Sequence, residues 1–415
     1  MMPTNSEFRR YGCQALCGSC LSLLLGFGVL NTFSVFQDHI GTEFENPSST
    51  ITWLFAFAAA FWQIAGFACG WISCNLGHRN AAFIGGTALV CGQIWSYFAN
   101  DIYQYFLSIG ILTSFGISSC YNVGLTVLGV HFKKEFELAN SIASTFVGIA
   151  SIVFPMLFDL EIEHFGYRGA YLILAGFCLH MYIAAILFRP TGHHRRKHIT
   201  LKTTNIKDIV AVPGLLPYMF VYAFFYIPYI TWITFAVPYA LELGIDSLVA
   251  ASLISVYGFG NIGGRCVQIV FTYFVKNKSM AQLLAGLCLA ATSLVVFAFV
   301  QDFGLLVGSS FMFGFSLGFV LPSVTVIIWY LSIGNDFEVI LGVNTTFIGL
   351  LNLCFGIVIG ELRGLFGSYH LTFIIIALML LMAILILVCT KPLRRMLPGF
   401  DLSYTEFPRQ DEDND

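Results

Sequence analysis

The sequence predicts an all-α membrane protein with twelve transmembrane helices, and three observations support this fold class. Only 10% of the 415 residues are charged, whereas soluble globular domains carry roughly 25%. The mean hydropathy is +0.80, so most of the outer surface is expected to face lipid. Long continuous apolar runs recur along the chain, and they do not fit the alternating pattern of a transmembrane barrel strand. Helices are the remaining way to satisfy every backbone hydrogen bond inside a bilayer.

Twelve apolar runs follow one another, and each is close to the roughly 20 residues that a membrane-spanning helix needs. We place them at residues 12–37, 51–73, 80–99, 102–130, 138–159, 168–189, 213–241, 247–275, 280–300, 303–332, 338–360 and 368–390. The first run is too long for a cleavable signal peptide, so we expect it to stay in the mature protein as the first span.

The basic residues are unevenly distributed between the two sides of the predicted membrane. Of the 20 Lys and Arg, Arg168 and Arg363 fall in outer loops, and Arg265 falls inside a span. The others lie on the inner side if the N-terminus is cytoplasmic, while the outer loops carry acids such as Glu43 and Asp101. Cytoplasmic loops of membrane proteins carry such an excess of Lys and Arg. We therefore expect a multi-pass plasma membrane protein with both termini in the cytoplasm.

A polar segment divides the predicted spans into six and six. It reads TGHHRRKHITLKTTNIKD at 191–208, and its basic residues are expected to lie near anionic lipid headgroups, which makes membrane lipids partners. The predicted organisation is a six-helix N-terminal bundle (1–190), a cytoplasmic linker (191–212), a six-helix C-terminal bundle (213–391) and an acidic cytoplasmic tail (392–415).

Several classes of function are not supported by the residue pattern. The 12 Cys lie mostly inside apolar runs and form no repeated pair of metal-binding type, so we expect neither a disulfide framework nor a metal site. No Ser/His/Asp set or phosphate-binding loop is visible in the sequence. We therefore expect no enzymatic activity, no cofactor and no nucleic acid partner.

The segment from the fourth loop to the sixth span carries several recognisable motifs. It reads HFKKEFELANSIASTFVGIASIVFP at 131–155, HFGYRGAYLILAG at 164–176 and LFRP at 187–190, and GSYHLTFIIIA follows at 367–377. Together these motifs resemble the monocarboxylate transporter family (solute carrier family 16) of the major facilitator superfamily. The resemblance implies two six-helix halves around a central cavity and transport of a small organic solute by alternating access. For some members it also implies a single-span chaperone subunit.

Five residues are candidates for a role in the conformational change. Lys133, Lys134 and Gly148 lie within the family-like segment, and Arg79 belongs to NLGHRN, a degenerate form of the superfamily's loop 2–3 motif. Pro155 interrupts helix hydrogen bonding and is a candidate hinge. Small and kinking residues of this kind also occur in any tightly packed helical bundle.

Arg265 is the charged residue that the predicted boundaries place well inside a span. An Arg near a helix centre costs about 2.5–3.5 kcal/mol on insertion scales, so a compensating partner is expected. One interpretation is an arginine satisfied by helix carbonyls near the inner surface. The other is a guanidinium fork that binds a substrate carboxylate through two parallel hydrogen bonds. No acid is predicted deep in a span, and the family resemblance, in which this position binds substrate, favours the second interpretation.

The chain departs from the family pattern at charged positions. Asn31 stands where the family's lactate carriers typically have Lys, and Asn261 stands four residues before Arg265, where they have Asp. We expect Asn31, Asn261, Asn122 and Tyr121 to line the substrate path. Buried amides also serve as contacts between membrane helices, and an aromatic ring there also serves in packing.

These features predict a secondary transporter for a monocarboxylate or a related small organic anion. Proton relays in carriers generally use an intramembrane acid or His. Because Asn261 replaces the acid and only His180 remains as a titratable candidate in a span, we expect facilitated diffusion or exchange rather than strong proton symport. Two alternatives stay open: a carrier of aromatic amino acids or other zwitterions, and a sensor or scaffold that has the transporter fold but does not transport.

Overall fold

The protein is helical throughout the part of the chain that the structure describes. The computed structural model describes residues 5–43, 48–133, 135–188, 212, 214–275, 279–332, 336–366 and 369–396, and none of these residues forms a strand. Lys134, most of the 191–212 linker and the tail beyond residue 396 lie outside the described residues. The predicted domain boundaries therefore stay predictions.

The helices fall into two sets that flank the linker. The N-terminal half contains α1 (Asn5–Glu43), α2 (Ser48–Ile64), α3 (Gly66–Leu76), α4 (His78–Phe98), α5 (Ile102–Tyr105), a π-helix (Phe106–Thr113), α6 (Ser114–His131), α7 (Phe136–Cys178) and α8 (His180–Leu187). The C-terminal half contains α9 (Leu215–Glu242), α10 (Ser247–Phe274), α11 (Ser279–Phe299), α12 (Phe303–Leu331), α13 (Phe337–Phe366) and α14 (Tyr369–Met396).

The number of membrane crossings follows from helix length. Within the described residues, ten helical stretches are long and apolar enough to cross a membrane. One of them, Phe136–Leu187, has 52 residues, far more than one crossing needs. Gly166 interrupts its helical backbone (φ 70°, ψ 161°), so this stretch crosses twice. The 28-residue helix α10 packs against α7 and α12 as a further crossing, and the predicted twelve-helix fold is confirmed.

Glycine and proline act differently along this chain. Gly77 adopts a left-handed φ of 83° and separates α3 from α4, a conformation that costs other residues energy because of their Cβ. Pro155 lies inside α7, whose backbone leaves helical angles only at Gly166. The proposed hinge at Pro155 is therefore ordinary helix in this conformation, and its role in movement stays a prediction.

Helices α3 and α13 bring the two halves into backbone contact. A Cβ added to Gly342 would lie 3.0 Å from the carbonyl carbon of Gly66, so only glycine allows this approach. Thr346 of α13 strengthens the contact, because its hydroxyl accepts a hydrogen bond from the Phe67 amide at 2.9 Å and donates one to the Ile64 carbonyl at 2.9 Å. Small residues at such crossings let membrane helices pack closely.

A second contact joins the start of α7 to the C-terminal half. The Asn140 amide donates to the Pro322 carbonyl at 3.0 Å. The Glu137 carboxylate accepts from the Ser279 hydroxyl at 2.7 Å and from the Tyr330 hydroxyl at 3.1 Å. Glu137, Ser279 and Tyr330 lie at helix ends on the membrane side where α8 ends and α9 begins, called here the linker side. The two halves are therefore held together on the linker side.

Candidate functional site

Arg265 lies between the two halves and not in lipid. Only 3% of its surface is exposed, and it lies about 14 Å of helix before the end of α10 at Phe274. Its Nε donates to Asn261 Oδ1 at 2.9 Å. Its Nη1 donates to the Ser144 carbonyl of α7, in the opposite half. The guanidinium thus connects the N-terminal and C-terminal halves.

The charge of Arg265 has no carboxylate partner in the part of the chain that the structure describes. The bonded groups there are an amide oxygen and a backbone carbonyl, and no described Asp or Glu carboxylate lies within 4 Å. A guanidinium has five N–H donors, so three of them remain for a ligand. A carboxylate would match this geometry, because it accepts two parallel hydrogen bonds from a guanidinium.

Gly148 explains how α7 comes so close to this side chain. A Cβ at Gly148 would lie 3.1 Å from Arg265 Cδ and 3.3 Å from Arg265 Nε, which is tighter than ordinary van der Waals contact. The missing side chain therefore leaves room for the Arg265 stem beside α7. This places Gly148, predicted to act in the conformational change, directly against the candidate binding residue.

Tyrosines surround Arg265 on the side of the C-terminal half. Tyr222, Tyr229 and Tyr257 are its electrostatic neighbours, and Tyr226 packs between two of them, with ring centroids 6.0 Å from Tyr222 and 5.4 Å from Tyr229. Tyr257 was missed, although its spacing of four and eight residues before Asn261 and Arg265 places all three on one helix face.

Aromatic residues of the N-terminal half face these tyrosines. Phe27, Trp62 and Tyr121 form a mutual edge-to-face triad with centroid distances of 5.7–5.9 Å. Tyr222 and Thr325 of the other half are side-chain neighbours of Tyr121. Tyr121 therefore belongs to the central cluster, and its role in lining the substrate path stays a prediction.

The two remaining predicted amides are placed differently. Asn31 is half-buried, and its Nδ2 donates to the Phe27 carbonyl at 2.6 Å, one turn earlier on α1. Asn122 is fully buried, and its Nδ2 donates to the Ser118 carbonyl at 2.9 Å, whereas its Oδ1 has no hydrogen-bond partner. An unpaired buried acceptor costs free energy, so Asn122 is the better candidate to take a hydrogen bond from a ligand.

The predicted conformational residues near the linker side lie on the surface. Arg79 is exposed, with its guanidinium carbon 5.8 Å from the centre of the Phe83 ring. Lys133 is also exposed, and Lys134 lies outside the described residues. His180 is exposed as well, with Nδ1 3.1 Å from the Phe177 carbonyl near the end of α7, so it does not enter the central cluster.

The sequence analysis missed a buried pair beside Arg79. His78 Nε2 lies 3.4 Å from Glu338 Oε1 of the other half, and His78 Nδ1 lies 2.8 Å from the Ser73 hydroxyl. His78 and Glu338 both lie at the start of a helix, where charged residues are commonly exposed to solvent. The local sequence therefore does not show that these two residues are buried against each other. The pair adds a titratable contact to the closure of the linker side.

Comparisons with known proteins agree with this architecture. Residues 18–353 match the family model described as Major Facilitator Superfamily. The chain is 26% identical over 316 residues to Monocarboxylate transporter 13 of Bos taurus, covering 75% of this chain and 73% of that protein. It is 24% identical over 440 residues to Monocarboxylate transporter 12 of Mus musculus, covering 97% and 89%. The solved structure of the transporter FucP matches with a TM-score of 0.69 at 17% identity, over 91% of this chain and 98% of that chain.

The His78–Glu338 pair generates a prediction about closure. Glu338→Gln keeps the shape and removes the charge, so the closed form should lose about 1 kcal/mol, which raises the population open on the linker side about fivefold. Spin labels at Leu76→Cys and Tyr273→Cys, both at exposed positions of opposite halves, would report the distance between the halves on the linker side. The labels are placed in a variant that lacks the exposed native cysteines. Glu163→Gln, an exposed acid at the other membrane side, is the control. An unchanged distance distribution in Glu338→Gln would show that the pair does not hold the closure.

Proposed function

Because this chain belongs to the major facilitator superfamily, we propose that it carries a monocarboxylate or a related small organic anion across the plasma membrane by alternating access. Membership makes the chain a multi-pass membrane transporter and not an enzyme. Its relatives are named monocarboxylate transporters. The observation that supports an anionic substrate is the burial of Arg265 between the halves, without a carboxylate partner among the described residues.

The substrate carboxylate binds the edge of the Arg265 guanidinium formed by Nη1 and Nη2, and it thereby takes Nη1 from the Ser144 carbonyl. Two parallel N–H···O bonds fix the carboxylate plane and compensate a charge that is otherwise held away from water. Asn261 orients the fork through its bond to Nε. The neighbouring tyrosine hydroxyls are further donors and acceptors for the bound anion.

Substrate binding is coupled to movement of the halves through Ser144. The Arg265 Nη1 bond to the Ser144 carbonyl is a bond between the halves, and a carboxylate is a stronger acceptor for a guanidinium than a neutral carbonyl is. A bound substrate therefore competes with this contact and weakens the closure between α7 and α10. If the linker is cytoplasmic, as the charge distribution predicts, this conformation receives substrate from outside.

Proton coupling is weak or absent in this account. An acid beside Arg265 would have to be protonated before the arginine is released for substrate, whereas Asn261 carries no proton that responds to pH in the physiological range. The movement is therefore facilitated diffusion or exchange. Substrate gradients alone then set its direction.

Replacing Arg265 tests the assignment of the carboxylate site. Arg265→Ala should lower carboxylate uptake into proteoliposomes by at least about 30-fold, because one partner of a buried charge pair is removed. Arg265→Lys keeps the charge but loses the planar fork, so it should retain only part of the activity. Equal amounts of folded protein in the vesicles are the control, and undiminished uptake by Arg265→Ala would refute the site.

Gly148 allows the same site to be perturbed from the opposite half. Gly148→Ala should raise the substrate KM about tenfold, because its Cβ displaces the Arg265 stem by a few tenths of an ångström. Gly176→Ala is the matched control, since a Cβ there meets no atom within 4 Å. An equal KM for the two variants would argue against a functional contact between α7 and Arg265.

Replacing Asn261 with an acid should introduce proton coupling. Asn261→Asp places a carboxylate four residues before Arg265, at the spacing of a helical ion pair, so substrate can bind only after that carboxylate is protonated or displaced. Uptake by Asn261→Asp should be low at pH 7.5 and rise severalfold as the external pH falls to 6, with a substrate that stays ionised over this range. The wild type and Asn261→Ala should show little change, and a steep pH response in the wild type would contradict uncoupled transport.

A further inference from the structure

Seven aromatic rings from both halves converge beside Arg265. We call this set the aromatic chamber. Its members are Phe27, Trp62 and Tyr121 of the N-terminal half and Tyr222, Tyr226, Tyr229 and Tyr257 of the C-terminal half.

Two members of the aromatic chamber keep accessible surface although their neighbours are buried. Tyr229 lies deep in the molecule, next to Arg265 and Tyr257, yet part of its surface stays accessible. Phe27 is likewise only partly buried, although it packs against Trp62 and Tyr121, whose exposed fractions are 4% and 9%. This accessible surface is available for contact with a ligand.

The two walls of the aromatic chamber belong to different halves of the transporter. Tyr121 of one wall is an electrostatic neighbour of both Tyr222 and Tyr226 of the other wall. A group held between the walls therefore contacts both halves, as Arg265 does through Ser144.

The chemistry of the walls selects for a flat apolar group. Aromatic rings attract further rings in offset or edge-to-face arrangements with centroids 4.5–7 Å apart, and the chamber already shows centroid separations of 5.4–6.4 Å between its tyrosines. A short aliphatic carboxylate would occupy Arg265 and leave these ring surfaces without a partner. A ring on the substrate would bury apolar surface against them.

The charges near the chamber do not favour an additional amino group on the substrate. Arg265 is cationic, and its described hydrogen-bond partners are the neutral groups of Asn261 and Ser144. An ammonium group would lose hydration beside a like charge, without a described carboxylate to replace its water. Tyrosine faces attract cations more weakly than a carboxylate would.

Resting on the proposed function, we propose that the transported anion carries an aromatic ring as well as its carboxylate, and that it lacks a charged amino group. The carboxylate binds Arg265 while the ring lies between the two walls of the aromatic chamber. Substrate preference is therefore set by Trp62 and Tyr226 in addition to Arg265.

Three probes with related skeletons test this substrate class. Uptake of propionate, its phenyl derivative 3-phenylpropionate, and phenylalanine is measured in proteoliposomes and in empty vesicles of the same lipid at pH 7.5. We expect the phenyl derivative to have a KM at least about tenfold below that of propionate, and we expect phenylalanine to be transported least. Both carboxylate fluxes should require Arg265.

Variants of the chamber show whether the preference arises there. Tyr226→Leu and Trp62→Leu should bring transport of 3-phenylpropionate, relative to that of propionate, toward a ratio of about one, because the ring loses its aromatic walls. Tyr226→Phe should keep the preference. Tyr273→Leu, at a position that is 62% exposed, is the matched control and should leave the ratio unchanged.

The outcomes separate the substrate class from the proposed function. If propionate and 3-phenylpropionate are transported equally and both fluxes require Arg265, the proposal of an aromatic substrate is wrong, but the proposal of an anion carrier stands. If phenylalanine is the preferred substrate, the substrate is a zwitterion and the proposed aromatic anion is wrong. No Arg265-dependent flux of any probe would overturn both.

Discussion

The buried guanidinium of Arg265 forms hydrogen bonds to both halves of this transporter. Arg265 reaches from α10 to Asn261 on its own helix and to the Ser144 carbonyl on the opposite half. Placing this charge in a membrane protein is costly, and the described residues supply only neutral acceptors. The glycine at 148 and the tyrosines around the cavity hold the side chain at this depth. In the proposed function, an entering anion accepts hydrogen bonds from this guanidinium, which makes ligand binding favourable here.

The proposed binding site also contributes a contact to the closure. Nearer the linker side, His78 meets Glu338 on one flank, and Glu137 accepts hydrogen bonds from the C-terminal half on the other. In the proposed function, the Arg265 bond to Ser144 is the contact with which a substrate competes directly. Opening of the linker side must also break the contacts of His78 and Glu137. The free energy of substrate binding is therefore linked to the free energy of closure through residues that neighbour one another, without a long-range pathway.

Some of this architecture could be predicted from the chain because it depends on local properties. Span positions follow from apolar length, and Arg265 stands out because charge inside an apolar run is rare. Tyr257 could have been found from its helical spacing to Asn261 and Arg265. The contact between His78 and Glu338 could not, because these residues are far apart in the sequence and only the packing of α3 on α13 brings them together. Likewise, nothing local indicates that aromatic residues of α1, α2 and α6 face those of α9.

The central claim is that a substrate carboxylate takes the place of a backbone carbonyl on Arg265. Its most direct test is a cryo-electron microscopy structure of the wild-type protein with a transported carboxylate bound, in which the distance from Arg265 Nη1 to the Ser144 carbonyl is measured. The account predicts a carboxylate within hydrogen-bonding distance of the guanidinium and a broken contact to Ser144. A carboxylate bound elsewhere, with the Arg265–Ser144 bond intact, would contradict it.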